Sequence, residues 1–174
     1  MQAALADLDG DGRIELVYGS STGDLVATKL PPGRVANRGA KTLWRFDNFG
    51  YAVNRLRAAD LDADGKPEVA VASGSGYLYV LGSGGKVKWQ DRAGTDIVET
   101  VFLQDAPARL AYLDLSGTLT LASGDGSIRK RLPLAIAPRV ALPLRGTLVI
   151  GSDGQLSAFS IRDLLQTSGW GRTK

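Results

Sequence analysis

Four segments of this chain repeat one pattern: an apolar run, a short turn rich in glycine and serine, and a second alternating run. They are ELVYGSSTGDLVATK from Glu15, EVAVASGSGYLYVL from Glu68, RLAYLDLSGTLTLA from Arg109 and TLVIGSDGQLSAF from Thr147. Branched and aromatic residues around a Gly-containing turn mark a β-hairpin. Each hairpin is preceded by a further apolar run: AALA at Ala3–Ala6, VNRLRAA at Val53–Ala59, ETVFL at Glu99–Leu103 and RVAL at Arg139–Leu142. A fourth run follows it, ending at Trp44, Trp89 and Trp170 in three units, while GSIRKRL fills that place in the third.

The pattern predicts four strands per unit, with Val17, Ala70, Ala111 and Val149 marking the second strand at spacings of 53, 41 and 38 residues. Four-stranded units of about 40–45 residues are the sequence sign of β-propeller blades. The connection from Leu30 to Ala40 accounts for the longer first spacing as an insertion within the first unit. Helical periodicity is absent apart from SIRDLLQ, Ser160 to Gln166, which suits one helical turn. The expected fold is all-β and β-propeller-type, with four four-stranded blades at about 1–46, 52–91, 97–132 and 138–172. Four blades is the lower limit for a ring. The chain is therefore expected as part of a larger ring, or self-associated with a second copy that completes one.

Composition then removes whole classes of chemistry. The chain has 174 residues, 44% of them hydrophobic and 22% charged, which suits a soluble domain with a core of its own. It has no cysteine and no histidine. Thiolate nucleophiles, disulfides, Ser-His-Asp and Cys-His mechanisms and zinc-thiolate sites are excluded, while oxygen-ligated hard cations remain open. No apolar run reaches the roughly 20 residues a membrane span needs. MQAALADLDG lacks the features of a signal peptide, so the expectation is either an intracellular protein or, preferably, a segment of a longer exported chain.

Two stretches carry site chemistry. DLDGDGRIE, from Asp7 to Glu15, and DLDADGKPE, from Asp60 to Glu68, stand at the same place in consecutive units. An EF-hand needs a closing glutamate at its twelfth position and flanking helices. The twelfth residues here are Tyr18 and Val71, and the flanks read as strands. What the loops offer is Asp7, Asp9, Asp11 and Glu15 in the first, and Asp60, Asp62, Asp64 and Glu68 in the second. The carbonyls of Arg13 and Lys66 complete each set. Four carboxylates, one carbonyl and water make a six- or seven-oxygen shell for Ca2+, and two such sites are expected. The bland alternative is an acidic hairpin turn, since Asp-Gly is a common turn signal. The duplicated placement favours calcium over it. The third and fourth units have QDAPAR and PLRG instead, and no metal is expected there.

The run FGYAVNRLRAADLDADGKPEVAVASGSG, Phe49 to Gly76, resembles an FG-GAP/VCBS repeat, the blade unit of integrin-α-type propellers. Phe49-Gly50 stands for the FG element and Asp60 to Glu68 for the calcium loop, while Ala72-Ser73-Gly74 replaces the GAP element. YLYVLGSGGKVKW, Tyr77 to Trp89, is instead similar to a quinoprotein-type repeat. The resemblance implies stabilising calcium in the loop between the first and second strands of a blade. It also implies an adhesion or ligand-binding role and an extracellular or periplasmic location.

Other features are weighed against it. The three tryptophans are expected to pack between blades rather than to form a stacking site. The basic groups Arg129–Arg131, Arg55 with Arg57, and Arg34, Arg38 and Lys41 could meet nucleic acid, anionic lipid or acidic polysaccharide. They are scattered and lack interleaved aromatics, so there is no strong nucleic-acid signal and a solvated surface is favoured. No catalytic constellation is visible. The function expected is a non-enzymatic binding module for a protein or acidic polysaccharide ligand. The rivals are an enzyme scaffold, such as a calcium-dependent polysaccharide lyase or quinoprotein-like enzyme, and a metal-free structural propeller.

Overall fold

The computed structural model describes residues 1–31, 39–103, 109–127 and 129–167. The first sheet contains β1 (Gln2–Ala6), β2 (Glu15–Gly19), β3 (Asp24–Lys29) and β4 (Lys41–Asp47). The second contains β5 (Val53–Ala59), β6 (Glu68–Ser73), β7 (Tyr77–Leu81) and β8 (Val87–Arg92). The third contains β9 (Ile97–Leu103), β10 (Arg109–Asp114), β11 (Thr118–Ser123) and β12 (Arg129–Pro133). The fourth contains β13 (Pro138–Leu144), β14 (Thr147–Ser152) and β15 (Gln155–Ser160), and α1 (Ile161–Thr167) follows. Strands within each sheet pair antiparallel in chain order.

Each sheet is a meander, and the sheets stack through their innermost strands, with β1 against β5, β5 against β9 and β9 against β13. This is a propeller-type arrangement. Three apolar layers fill the spaces between sheets, and the sequence explains which strands supply them. β6 reads EVAVAS and is buried along its whole length, because a central strand is covered by a neighbouring sheet on both faces. β12 reads RKRLP and alternates between exposed and half-buried, as an outer strand does. Val17, Leu25, Leu56, Val71 and Leu81 fill the first layer, and Ala70, Leu78, Val80, Leu110 and Tyr112 the second. Leu113, Leu121, Leu148, Ile150 and Ile161 fill the third.

The tryptophans on the fourth strands act as latches between sheets. Trp44 on β4 donates its Nε1–H to the carbonyl of Ser83, 2.7 Å away in the turn between β7 and β8. Trp89 on β8 donates to the carbonyl of Gly124, 2.8 Å away in the turn between β11 and β12. In both cases a glycine makes room. A Cβ on Gly85 would lie 2.6 Å from the Trp44 ring, and one on Gly126 2.5 Å from the Trp89 ring.

Among the described residues the fourth sheet has three strands and a helix follows, while the run expected to supply its fourth strand, ending at Trp170, lies outside them. Ser160 caps that helix, its Oγ accepting from the Asp163 amide at 3.2 Å, with Asp163 in the first turn. Ile161 and Leu164 turn into the third apolar layer. SIRDLLQ thus forms the helix its pattern allowed. The third unit, which lacks a tryptophan, precedes the sheet whose third strand leads into α1 rather than into a turn. Trp170, residues 104–108 of QDAPAR, and Arg34 and Arg38 in the Leu30–Ala40 connection lie outside the described residues. Among the described residues no helix is long and apolar enough to cross a membrane.

Two of the basic clusters are engaged within the fold. Arg129 stacks 5.3 Å above the Trp89 ring and donates to the Gln90 carbonyl, while Arg131 pairs with Asp91 at 2.7 Å. Arg55 and Arg57 on β5 both reach Glu99 on β9, at 3.3 and 3.0 Å, and Glu99 is buried. These arginines tie sheet to sheet.

Candidate metal centre

The first acidic loop joins β1 to β2, the innermost strand of its sheet to the next. Asp7 folds the loop around its own carboxylate. Its Oδ1 accepts from the amides of Gly10 and Asp11 at 2.9 and 3.1 Å, and its Oδ2 from that of Gly12 at 2.9 Å. Closing so small a loop requires left-handed backbone, which Gly10 and Gly12 supply at φ of 75° and 81°. Leu8 between the first two aspartates is buried in the first apolar layer, and its amide donates to Glu15 Oε2 at 2.8 Å. Glu15 is fully buried, and its Oε1 accepts no hydrogen bond.

The second loop joins β5 to β6 in the same way. Asp60 Oδ2 accepts from the Gly65 amide at 2.9 Å, and Glu68 Oε2 from the Leu61 amide at 2.8 Å. Glu68 is buried, and Asp60 Oδ1 is a buried oxygen without a hydrogen-bond partner. Leu61 enters the second apolar layer, and its carbonyl would lie 1.9 Å from a Cβ on Gly124, the residue that also receives the Trp89 hydrogen bond. The loop is therefore wedged against the third sheet. In place of Gly10 it has Ala63, held at φ 61°.

Carboxylate oxygens of Asp7, Asp9 and Glu15 lie within 4.8 Å of one another, and so do those of Asp60, Asp62 and Glu68. The fifth-position aspartates stand at the rim. Asp11 Oδ1 accepts from the Arg13 amide at 3.0 Å, and Asp64 Oδ1 from the Lys66 amide at 2.8 Å. Arg13 and Lys66 are exposed and meet these aspartates through their amides, and the Arg13 charge also acts on Asp11.

Two lysines, which the loop pattern does not contain, complete the electrostatics. Lys29, the last residue of β3, lies 2.7 Å from Asp9 Oδ2, is ion-paired with Asp11, and stands 3.9 Å from Glu15 Oε1. Lys88 on β8 is ion-paired with Asp62 and lies 3.1 Å from Glu68 Oε1. The Lys29 hydrogen bond draws the Asp11 carboxyl below the usual range, and the Lys88 bond does the same for Asp62. Both ammonium groups are correspondingly raised by those partners. The β2–β3 register offers a signal for Lys29, since it pairs Glu15 directly with that residue. Lys88 has no such signal, because it reaches the second loop from a strand two places away.

Donor type and burial suit a hard divalent cation. Every converging side-chain donor is a carboxylate oxygen, and a buried carboxylate oxygen without a partner is costly unless a cation meets it. Asp7, Asp9 and Glu15 would hold one ion, and Asp60, Asp62 and Glu68 another.

Residues 7–71, which include both loops, match the family described as an FG-GAP-like repeat. No curated protein matches the chain. Among solved structures, the chain is similar to BamB from Moraxella catarrhalis at TM-score 0.64 and 15% identity, covering 92% of this chain and 46% of that one. It is similar to BBS1N in complex with ARL6DN at TM-score 0.62 and 16% identity, covering 89% and 54%. The WD40 β-propeller domain of Doa1 gives TM-score 0.65 and 14% identity, covering 91% and 50%. The chain thus spans about half the length of these structures, and at such identities the likeness is one of fold.

Proposed function

We infer that this chain, a β-propeller protein of the FG-GAP-repeat type, is a calcium-binding interaction module rather than a catalyst. One observation carries the reading: the same carboxylate triad recurs at the same place in two consecutive sheets, each with a buried oxygen lacking a hydrogen-bond donor. Calcium is the cation of choice because these donors are hard oxygens, mostly carboxylates, supplied by one short loop. Asp7, Asp9, Asp11 and Glu15, with the Arg13 carbonyl, form the first proposed site. Asp60, Asp62, Asp64 and Glu68, with the Lys66 carbonyl, form the second. A bound ion supplies charge neutralisation and cross-links the loop. The chain's own residues do the rest, with Leu8 and Leu61 carrying that rigidity into the layers between sheets.

A protein or acidic polysaccharide partner is proposed, in keeping with the complex formed by the structurally similar BBS1N. Self-association through the outer face of the fourth sheet is a further route. Leu142, Leu144 and Leu156 are exposed there, and β1 at the other end of the stack exposes Leu5. An extracellular or periplasmic setting suits loops of this kind, which fill where calcium is abundant. The enzyme-scaffold reading has less support, because Arg55, Arg57, Arg129 and Arg131 are already committed to partners.

The test is calorimetric titration of calcium into the full chain and into Asp9→Asn and Asp62→Asn variants. Two ions for the parent and one for each variant support the reading. An unchanged isotherm in both variants would refute the assignment of the loops.

A further inference from the structure

Lys29 and Lys88 place a positive charge on carboxylates proposed to hold the ions: Asp9, Asp11 and Glu15 in the first loop, Asp62 and Glu68 in the second. They arrive by different routes. Lys29 stands at the end of β3, paired in register with Glu15. In the second sheet Val69 pairs with Leu81, so the position opposite Glu68 falls to Gly82, which has no side chain to offer. Lys88 supplies the charge instead. It lies at the irregularity where β8 shifts register between Trp89, paired with Val80, and Val87, paired with Leu81. Its side chain then crosses over Gly82, where a Cβ would sit 3.5 Å from Lys88 Cγ and Cδ. Two unrelated strand positions thus deliver an ammonium to equivalent acidic loops. Inheritance from a common repeat does not explain that convergence. A need for a cation at that point does.

We propose that Lys29 and Lys88 are tethered counter-cations that hold the two loops closed without metal and must swing out before a divalent cation can bind. The proposal rests on the calcium reading above and adds a residue that sets the affinity of each site. An ammonium on the chelating carboxylates makes the metal-competent loop a minor state, and apparent affinity is scaled down to the fraction of time the lysine is away. Engagement about 90–99% of the time weakens binding by roughly 10- to 100-fold. The two sites are then unequal. Lys29 contacts three carboxylates with its side chain 22% exposed, whereas Lys88 contacts two and is 36% exposed. The second loop releases its lysine more readily and fills first.

The experiment is calcium titration by calorimetry into the full chain, Lys29→Gln, Lys88→Gln and the double variant, each first checked for native circular dichroism. The expected result is at least roughly tenfold tighter binding at the loop whose lysine is removed. A parent that binds calcium and variants that bind no tighter would overturn the displacement role while leaving the calcium reading intact. Absence of binding in parent and variants alike would overturn both. Binding in the variants alone would support the lysine role and show that the native chain is closed to metal.

A second measurement needs no variant: the acylation rate of each lysine in the native chain, read by mass spectrometry with and without calcium. Lys29 and Lys88 are expected to react several-fold faster with calcium present, while Lys86, in the turn between β7 and β8, stays unchanged. Equal rates at Lys29 and Lys88 with calcium bound would contradict displacement.

Discussion

Replacing Trp89 with alanine tests whether the sheets are coupled through the fourth-strand tryptophans. Trp89 is 8% exposed and lies in the layer between the second and third sheets. Truncating a buried tryptophan to alanine costs about 3–5 kcal/mol. Within that figure, the lost hydrogen bond to the Gly124 carbonyl accounts for about 1 kcal/mol. The Arg129 guanidinium over the ring adds about 0.5–1 kcal/mol. Trp89→Ala is thus expected to cost about 4 kcal/mol, a large share of the ~5–15 kcal/mol of an ordinary domain. Trp89→Phe keeps most of the apolar area and leaves Gly124 without its donor, for about 1–2 kcal/mol.

Urea unfolding followed by far-ultraviolet circular dichroism reads both quantities. Because each layer joins neighbouring sheets only, losing a latch should also weaken cooperativity and lower the slope of the transition, as in repeat proteins. A Trp89→Ala loss below about 0.5 kcal/mol, the range of an ordinary surface change, with an unchanged slope, would refute the latch.

Three further outcomes follow from the same geometry. Ala63 sits at φ 61° where the first loop has Gly10, so Ala63→Gly should stabilise by up to about 1 kcal/mol in thermal unfolding, and destabilisation would contradict the strain. Glu99→Ala removes the buried partner of Arg55 and Arg57, which are themselves partly exposed, so the loss in urea unfolding should be about 2 kcal/mol rather than the 3–5 of a fully buried pair. For pH, hydrogen bonds hold Asp11, Asp62, Asp125 and Asp153 below their ordinary values: from Lys29, Lys88, Ser123 and Arg139 respectively. A lowered carboxylate contributes stability that is present above about pH 4 and is lost as pH falls through the folded value. Metal-free melting should therefore fall on acidification below about pH 4, and a melting temperature that rises there would contradict these pairings.

The hairpins were legible because each combines an alternating run with a glycine turn, and all four form at the expected places. The two acidic loops were legible for a similar reason, since spacing alone brings their first, third and ninth residues together. Residues that act across sheets were harder to read. Arg129 and Arg131 look like a solvated edge in the sequence, yet they reach β8, some forty residues earlier. Lys88 depends on a register irregularity and on the missing side chain of Gly82, neither of which leaves a periodic trace. The helix after β15 was legible in SIRDLLQ, and the Ser160 cap and the Leu164 contact give it its start and its buried face.

The central claim is that the two loops bind calcium and stiffen the spaces between sheets through Leu8 and Leu61. Thermal unfolding of the full chain in calcium and in chelator tests it most directly. At free calcium 100-fold above the dissociation constant, each site should add about 2.7 kcal/mol, so a rise in melting temperature of several degrees is predicted. Superimposable curves in calcium and chelator would contradict the account and reduce both loops to acidic turns closed by lysine.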